Sequence, residues 1–191
     1  KKDETPAPAA ATPAADADAA HLAKMRAQIA RIEMTPDVSF LTDEERKVVN
    51  LLIKSANVMS DIYRKQVSED AATMLASLAA AGDAARLELF DLHFGPWDSL
   101  DEDKPFYGDT PRPTGAGFYP VDMTKEEFDA WIAAHPADKD AFVSGYTVIR
   151  RDDEGGLKAI PYAQFYREDL ERAASYLRQA AAISTNASLK K

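Results

Sequence analysis

The sequence predicts an α+β fold that is predominantly α-helical: a helical lobe with one β-hairpin and a long aromatic, glycine- and proline-bearing loop. Three observations predict it. Apolar residues recur at spacings of three and four over most of the chain after Ala20. Two Thr-x-x-Glu sequences, Thr42 to Glu45 and Thr124 to Glu127, each stand before such a run and read as helix starts. Only one β-branched run, Tyr146 to Arg151, faces a second apolar run across a glycine-bearing turn.

The elements follow in chain order. Residues 1–20, KKDETPAPAAATPAADADAA, hold no Leu, Ile, Val or aromatic side chain and cannot offset the entropy of ordering by burial. They predict a disordered Pro/Ala-rich tether ahead of a mainly helical unit over 21–191. A helix is expected from Ala19, with Leu22, Met25, Ile29 and Ile32 on one stripe, ending before Thr35-Pro36. The helix opened by Thr42 carries Val48, Val49, Leu52, Ala56, Met59, Ile62 and Tyr63, a wide apolar face expected in a core. Ser68 is placed before a third helix that Gly82 can close in a left-handed cap, and Asp83 opens a fourth that Gly95-Pro96 stops.

Residues 95–122 then contain five Pro, four Gly and five aromatic residues with little regular structure expected. Loops longer than about 12–15 residues in compact domains tend to be functional or disordered, and the aromatics argue against disorder. After the short helix opened by Thr124 and ended by His135-Pro136 comes the hairpin, Tyr146–Arg151 with Leu157–Ile160 about the turn 152–156. A last helix is expected from Pro161 through Phe165, Leu170, Ala173, Leu177 and Ala181.

Composition removes several function classes. With 23 basic and 32 acidic side chains in 191 residues the formal charge is -9, opposite to the basic face a nucleic-acid binder presents. There are no cysteines, so disulfides, thiolate metal sites and cysteine nucleophiles are excluded. No apolar run approaches the ~20 residues that span a bilayer. The histidines, His21, His93 and His135, are far apart and form no H-E-x-x-H pair. The acidic group Asp98, Asp101, Glu102 and Asp103 lacks the order of a calcium loop and reads as a solvated surface. No G-x-S-x-G elbow or phosphate-binding glycine loop is present.

The 95–122 loop remains. Trp97, Phe106, Tyr107, Phe118 and Tyr119 among Gly and Pro fit either an aromatic-pinned cap on the helices or the wall of a cleft. In a cleft wall, small residues would let a ligand's backbone come close while the rings supply apolar contact.

Several blocks carry a family resemblance: residues 51–62, Phe94-Gly-Pro-Trp-Asp98, Lys104-Pro-Phe106, Gly117–Phe128, Tyr146–Arg151 and Gly155–Tyr162. Together they resemble the N-terminal portion of bacterial dipeptidyl peptidase III-like proteins, zinc metallopeptidases of the M49 type. The resemblance implies two lobes around a wide cleft, and removal of dipeptides from peptide N-termini. It implies zinc held by two His of an H-E-x-x-G-H-type helix and a downstream Glu, a motif this chain does not contain. Residues 21–191 are therefore expected to be part of a two-lobed hydrolase, truncated before the zinc region and not catalytic alone. No cofactor is expected in this chain, and zinc is expected in the full-length protein. The resemblance maps substrate-binding positions onto Pro113, Thr114, Gly115, Ala116, Phe118 and Tyr119, with Trp97 and Asp98 as further candidates. The implied partners are the remainder of the same polypeptide and a peptide substrate.

The Lys-Lys start and Pro/Ala leader look like a mature bacterial lipoprotein, with a lipid anchor at the N-terminus and a periplasmic or membrane-surface location. The alternative is a freestanding exported helical module that binds a peptide or protein without catalysis.

Overall fold

A computed structural model describes residues 13–190. Residues 1–12, most of the expected tether, lie outside the described residues. The first helix, α1, spans Pro13–Ala27 and so starts earlier than Ala19. Its stripe is shorter than expected: Leu22 and Met25 are buried, whereas Ile32 lies beyond the helix end and is 78% exposed. Residues 28–41 form a strap without helix or strand, with turns at both ends and every residue from 30 to 40 exposed.

Helix α2, Asp43–Val67, begins as expected. The Thr42 side chain accepts from the Glu45 amide while the Glu45 carboxylate accepts from the Thr42 N–H at 2.8 Å. Three acidic residues in its first turn and two basic residues in its last suit the helix dipole. One correction concerns its apolar residues, which divide between two faces. Val48, Val58 and Ile62 are buried, and the Ser55 hydroxyl donates to the Ala173 carbonyl on the last helix. Val49, Ile53, Met59 and Tyr63 are exposed.

Helix α3 spans Ala71–Ala81, and Gly82 closes it at φ 67, a left-handed value that costs glycine little. Its N-cap is Asp70 rather than Ser68. Helix α4, Ala84–His93, is capped by the Asp83 carboxylate, which accepts from the Arg86 amide and is held below the usual carboxylate range by that bond. Leu22, Met25, Leu78, Leu89, Phe90 and Phe106 join α1, α3 and α4 in one core. Ion pairs from Arg26 to Glu88 and from Arg86 to Asp18 tie α1 to α4.

The 95–122 segment contains a sheet that the sequence did not predict: β1, Trp97–Asp98, pairs antiparallel with β2, Lys104–Pro105. Among the described residues there are therefore two small sheets instead of one hairpin. A 3₁₀ turn follows at Ala116–Phe118, then α5 at Lys125–Ala134, a 3₁₀ turn at Pro136–Asp138 and the short α6, Lys139–Phe142. Strands β3, Thr147–Arg151, and β4, Leu157–Pro161, form the expected hairpin, with Ile149 opposite Ala159. The final helical region is broken: α7 is Tyr162–Phe165, and α8, Arg167–Ile183, begins after Tyr166. Helix α8 packs along α2, and Lys65 pairs with the buried Asp169 at 2.5 Å across that contact.

Hairpin β3–β4 is buried on both faces. Val148 packs with Ile62 and Tyr166 toward α2 and α8. Its neighbour Ile149 packs with Phe142 and Leu157 toward α5 and α6. Successive side chains of a strand point to opposite faces, so β3 divides two apolar cores.

Candidate functional site

The 3₁₀ turn that follows Pro113 and Thr114 is fixed from two sides. A Cβ at Gly117 would lie 2.1 Å from the Lys65 carbonyl oxygen, so only glycine lets the turn approach the α2 backbone this closely. From the other side, Arg150 donates from Nη2 to the Gly117 carbonyl at 2.8 Å, with its guanidinium 4.6 Å from the Phe165 ring centroid. Immediately before this doubly held glycine, Ala116 sits at φ 45, a left-handed value that is strained for a residue with a Cβ.

The anchored turn forms one wall of a groove of about 440 Å³. Pro113, Thr114, Gly115 and Tyr119 line that side, and Val121, Met123 and Phe128 line the other. Tyr119 meets Phe128 edge-on, with ring centroids 5.9 Å apart. Lys125 and Asp129, paired with each other, stand at its rim. A second concavity of about 550 Å³ shares Pro113 and Thr114, includes Ala116, and is bounded by Asp103, Lys104 and Arg112. The groove is thus apolar inside with a charged pair at its edge, a composition suited to an uncharged side chain of a ligand.

The far wall is held by a second arginine. Arg151 pairs with Asp122 at 2.7 Å and with Glu127 at 2.9 Å, and it lowers both carboxyls from their ordinary values through these hydrogen bonds. This explains a departure from the expected capping box. The Thr124 side chain caps the Glu127 amide as predicted, but the Glu127 carboxylate is taken by Arg151.

Of the predicted positions, Pro113, Thr114, Gly115 and Tyr119 come together in the groove, and Ala116 lines the adjoining concavity. The other three are placed elsewhere. Phe118 packs inward with Tyr162, ring centroids 6.3 Å apart, in the core between α2 and the hairpin. Trp97 is buried and donates from Nε1 to the Thr110 carbonyl at 2.9 Å, pinning the loop to itself. Asp98 is buried at the turn between β1 and β2, where its carboxylate accepts from the Leu100 amide. His93 is buried beside it and accepts from the Ser99 amide through Nδ1. Sequence reasoning missed Val121, Met123, Lys125, Phe128 and Asp129. The two apolar positions ahead of α5, Val121 and Met123, were the available signal.

Among the described residues no three His, Asp or Glu side chains are grouped so that they could hold a metal ion. No helix among them is long and apolar enough to cross a membrane.

Comparison with known proteins connects this geometry to a family. No family model matches the chain. The structure of dipeptidyl peptidase III from Caldithrix abyssi is 48% identical and superposes with a TM-score of 0.82, covering 88% of this chain and 32% of that one. Dipeptidyl-peptidase III from Corallococcus sp. strain EGB is 34% identical with a TM-score of 0.82, covering 91% of this chain and 33% of that one. Among curated sequences, Nudix hydrolase 3 of Arabidopsis thaliana is 25% identical over 224 residues, covering 89% of this chain and 29% of that protein. The chain therefore spans about a third of the length of the proteins it matches. Over nearly nine-tenths of its length this polypeptide is a dipeptidyl peptidase III-like segment, in sequence and in fold.

Proposed function

We propose that this chain is the N-terminal, non-catalytic part of a dipeptidyl peptidase III-like zinc hydrolase, and that it supplies one wall of the substrate cleft. The observation that carries this reading is the groove between the 113–119 turn and the start of α5, in which four of the candidate substrate-binding residues converge. A peptide side chain would rest against Tyr119, Met123 and Phe128, with Gly115 leaving room for the Tyr119 ring to form that wall. Zinc, held by residues outside this chain, would polarise the scissile carbonyl. The residues here bind and orient the peptide and exclude water. The remainder of the same polypeptide is the chain's partner, and the leader would tether it to a membrane surface. Absence of incorporated fatty acid in the mature protein would remove the tether.

The test is made in the full-length enzyme. A Cβ at Gly115 would come within 2.9 Å of the Tyr119 Cβ and ring, so Gly115→Val displaces that ring from the groove. Tyr119→Ala removes the ring altogether. Each variant is expected to raise KM for dipeptide release about tenfold, equivalent to about 1.4 kcal/mol of lost binding, with zinc content unchanged. Unaltered kinetics in both variants would overturn the cleft assignment. A full-length protein that releases no dipeptide would favour the freestanding binding module.

A further inference from the structure

Helix α2 is apolar on two faces, and only one of them is covered. Val49, Ile53, Ala56, Met59 and Tyr63 follow one another at spacings of four, three, three and four, which places them on a single stripe about 21 Å long. All five are exposed: Val49 at 38%, Ile53 at 52%, Met59 at 42% and Tyr63 at 49%, with Ala56 in the same class. The buried set Val48, Ser55, Val58 and Ile62 lies on the adjoining side, toward α8, and the stripe ends one turn past Tyr63 at Val67, which is buried against Gly95. A helix that is hydrophobic around most of its circumference belongs in an interior. Soluble monomers seldom leave so long an apolar ridge in water.

The strap ahead of α2 shows the same character. It leaves α1, which is docked on α4, and must reach the opposite end of α2, since Arg64 near the C-terminus of α2 pairs with Asp91 of α4. Helix α2 is about 37 Å long, and fourteen residues reach at most about 50 Å, so the strap is drawn out along the length of the helix. Within it Ile32, Met34 and Phe40 are 76–83% exposed. Half of the exposed large apolar side chains among the described residues fall between Ile32 and Tyr63.

Resting on the reading that this chain is part of a longer protein, we infer that the outer stripe of α2 is the seat of a helix from the remainder of that polypeptide. Three observations select this occupant. The solved relatives are about three times as long as the segment they share with this chain, so they carry ample further structure. The covered face of α2 shows how the helix is matched, since α8 lies along it and the small Ser55 donates to the Ala173 carbonyl there. A second copy of this chain is the poorer match, because each copy carries a formal charge of -9 and the stripe itself offers no charge to offset the repulsion. The occupant is an amphipathic helix whose apolar ridge fits between Ile53 and Met59, with Tyr63 at one end held edge-on against Phe94 at 4.9 Å.

Hydroxyl-radical footprinting of the unmodified proteins tests this directly, because Met and Tyr side chains react readily when exposed. Oxidation of Met59 and Tyr63 is followed in the full-length protein and in the 191-residue chain, with dipeptide release assayed on the same full-length preparation. The expected result is about tenfold slower oxidation of both residues in the full-length protein, while the 191-residue chain sediments as a monomer. Equal oxidation in the two proteins would show an open face and overturn the inference, even if dipeptides are released. Protection in the short chain that rises with concentration, together with a dimer in sedimentation, would assign the stripe to a second copy and overturn it equally. Protection in a full-length protein that releases no dipeptide would leave this inference standing and remove the proposed function.

Discussion

Two segments of this protein lack regular secondary structure and are rich in exposed or aromatic side chains, yet they are built in opposite ways. The turn at 113–119 is gripped from a distance. Gly117 lies against the backbone of α2, and its carbonyl receives Arg150 from 33 residues away. In the same loop region, Trp97 reaches Thr110, and Arg86 reaches the Phe106 carbonyl. Among the described residues the strap at 28–41 makes only short-range bonds, such as Ser39 to Asp37 and Arg46 to the Leu41 carbonyl. Both segments contain proline and apolar residues, so composition does not separate them. What separates them is whether a buried polar side chain elsewhere in the chain has been spent on their backbone. An anchored loop can hold a ligand in a defined position, and an unanchored apolar strap has to find its own cover.

The contrast can be broken most sharply at Gly117. Gly117→Ala forces a methyl group into the Lys65 carbonyl and should destabilise the protein by roughly 2–4 kcal/mol in urea unfolding. A loss below about 0.5 kcal/mol would show that the turn is free to move off α2.

Smaller and opposite in sign is the effect expected beneath the turn, at Tyr166. Among the described residues its buried hydroxyl makes no well-formed hydrogen bond, Gln66 being the side chain near enough to offer one, and burial raises its pKa above that of an ordinary tyrosine. Because the folded-state value is the higher one, the contribution of this group is intact below the unfolded value of about 10 and is lost as pH rises through the folded value. Tyr166→Phe should raise stability by about 1 kcal/mol at neutral pH and flatten the decline in alkaline solution. A destabilised variant would mean that the hydroxyl is bonded after all.

The smallest effect belongs to the strap. Phe40→Ser, at a side chain 76% exposed, should leave the unfolding midpoint of the 191-residue chain within about 0.5 kcal/mol of the parent. A larger loss would show that the strap is anchored within this chain and erase the contrast.

The parts of the fold that were legible in the sequence are those decided locally. Thr42 and Glu45 lie one turn apart and cap each other without help from the rest of the molecule. Gly82 and the turn at 152–156 likewise determine their own surroundings. Legibility failed where a distant group competed: Glu127 had the right spacing for a capping box, but Arg151 was the stronger partner. It failed again on α2, because a helical period shows which residues are apolar but not how many faces will be covered. Two-residue strands such as Trp97–Asp98 are too short for any periodicity to reveal. For the site, the Pro113–Gly115 backbone and Tyr119 were legible from the glycine and aromatic content and the family resemblance. Phe118, next in sequence to Tyr119, could not be separated from it, because only the geometry of the 3₁₀ turn packs Phe118 against Ile62, Val148 and Tyr166 and turns Tyr119 to the other core, where it also lines the groove.

The adjacent arginines of β3 work like the two arms of a caliper. Arg150 faces α2 and grips the Gly117 turn; Arg151 faces α5 and grips Asp122 and Glu127. One arm therefore holds each jaw of the groove, and the pleat of a single strand sets the gap between them. A slip of β3 by one residue against β4 would turn each arm to the wrong side and release both jaws together. The turn at Asp152–Gly156 bears on that gap although it lines neither wall: the Asp152 carboxylate accepts from the Gly156 amide at 2.7 Å, and the Gly155 carbonyl accepts from Arg151.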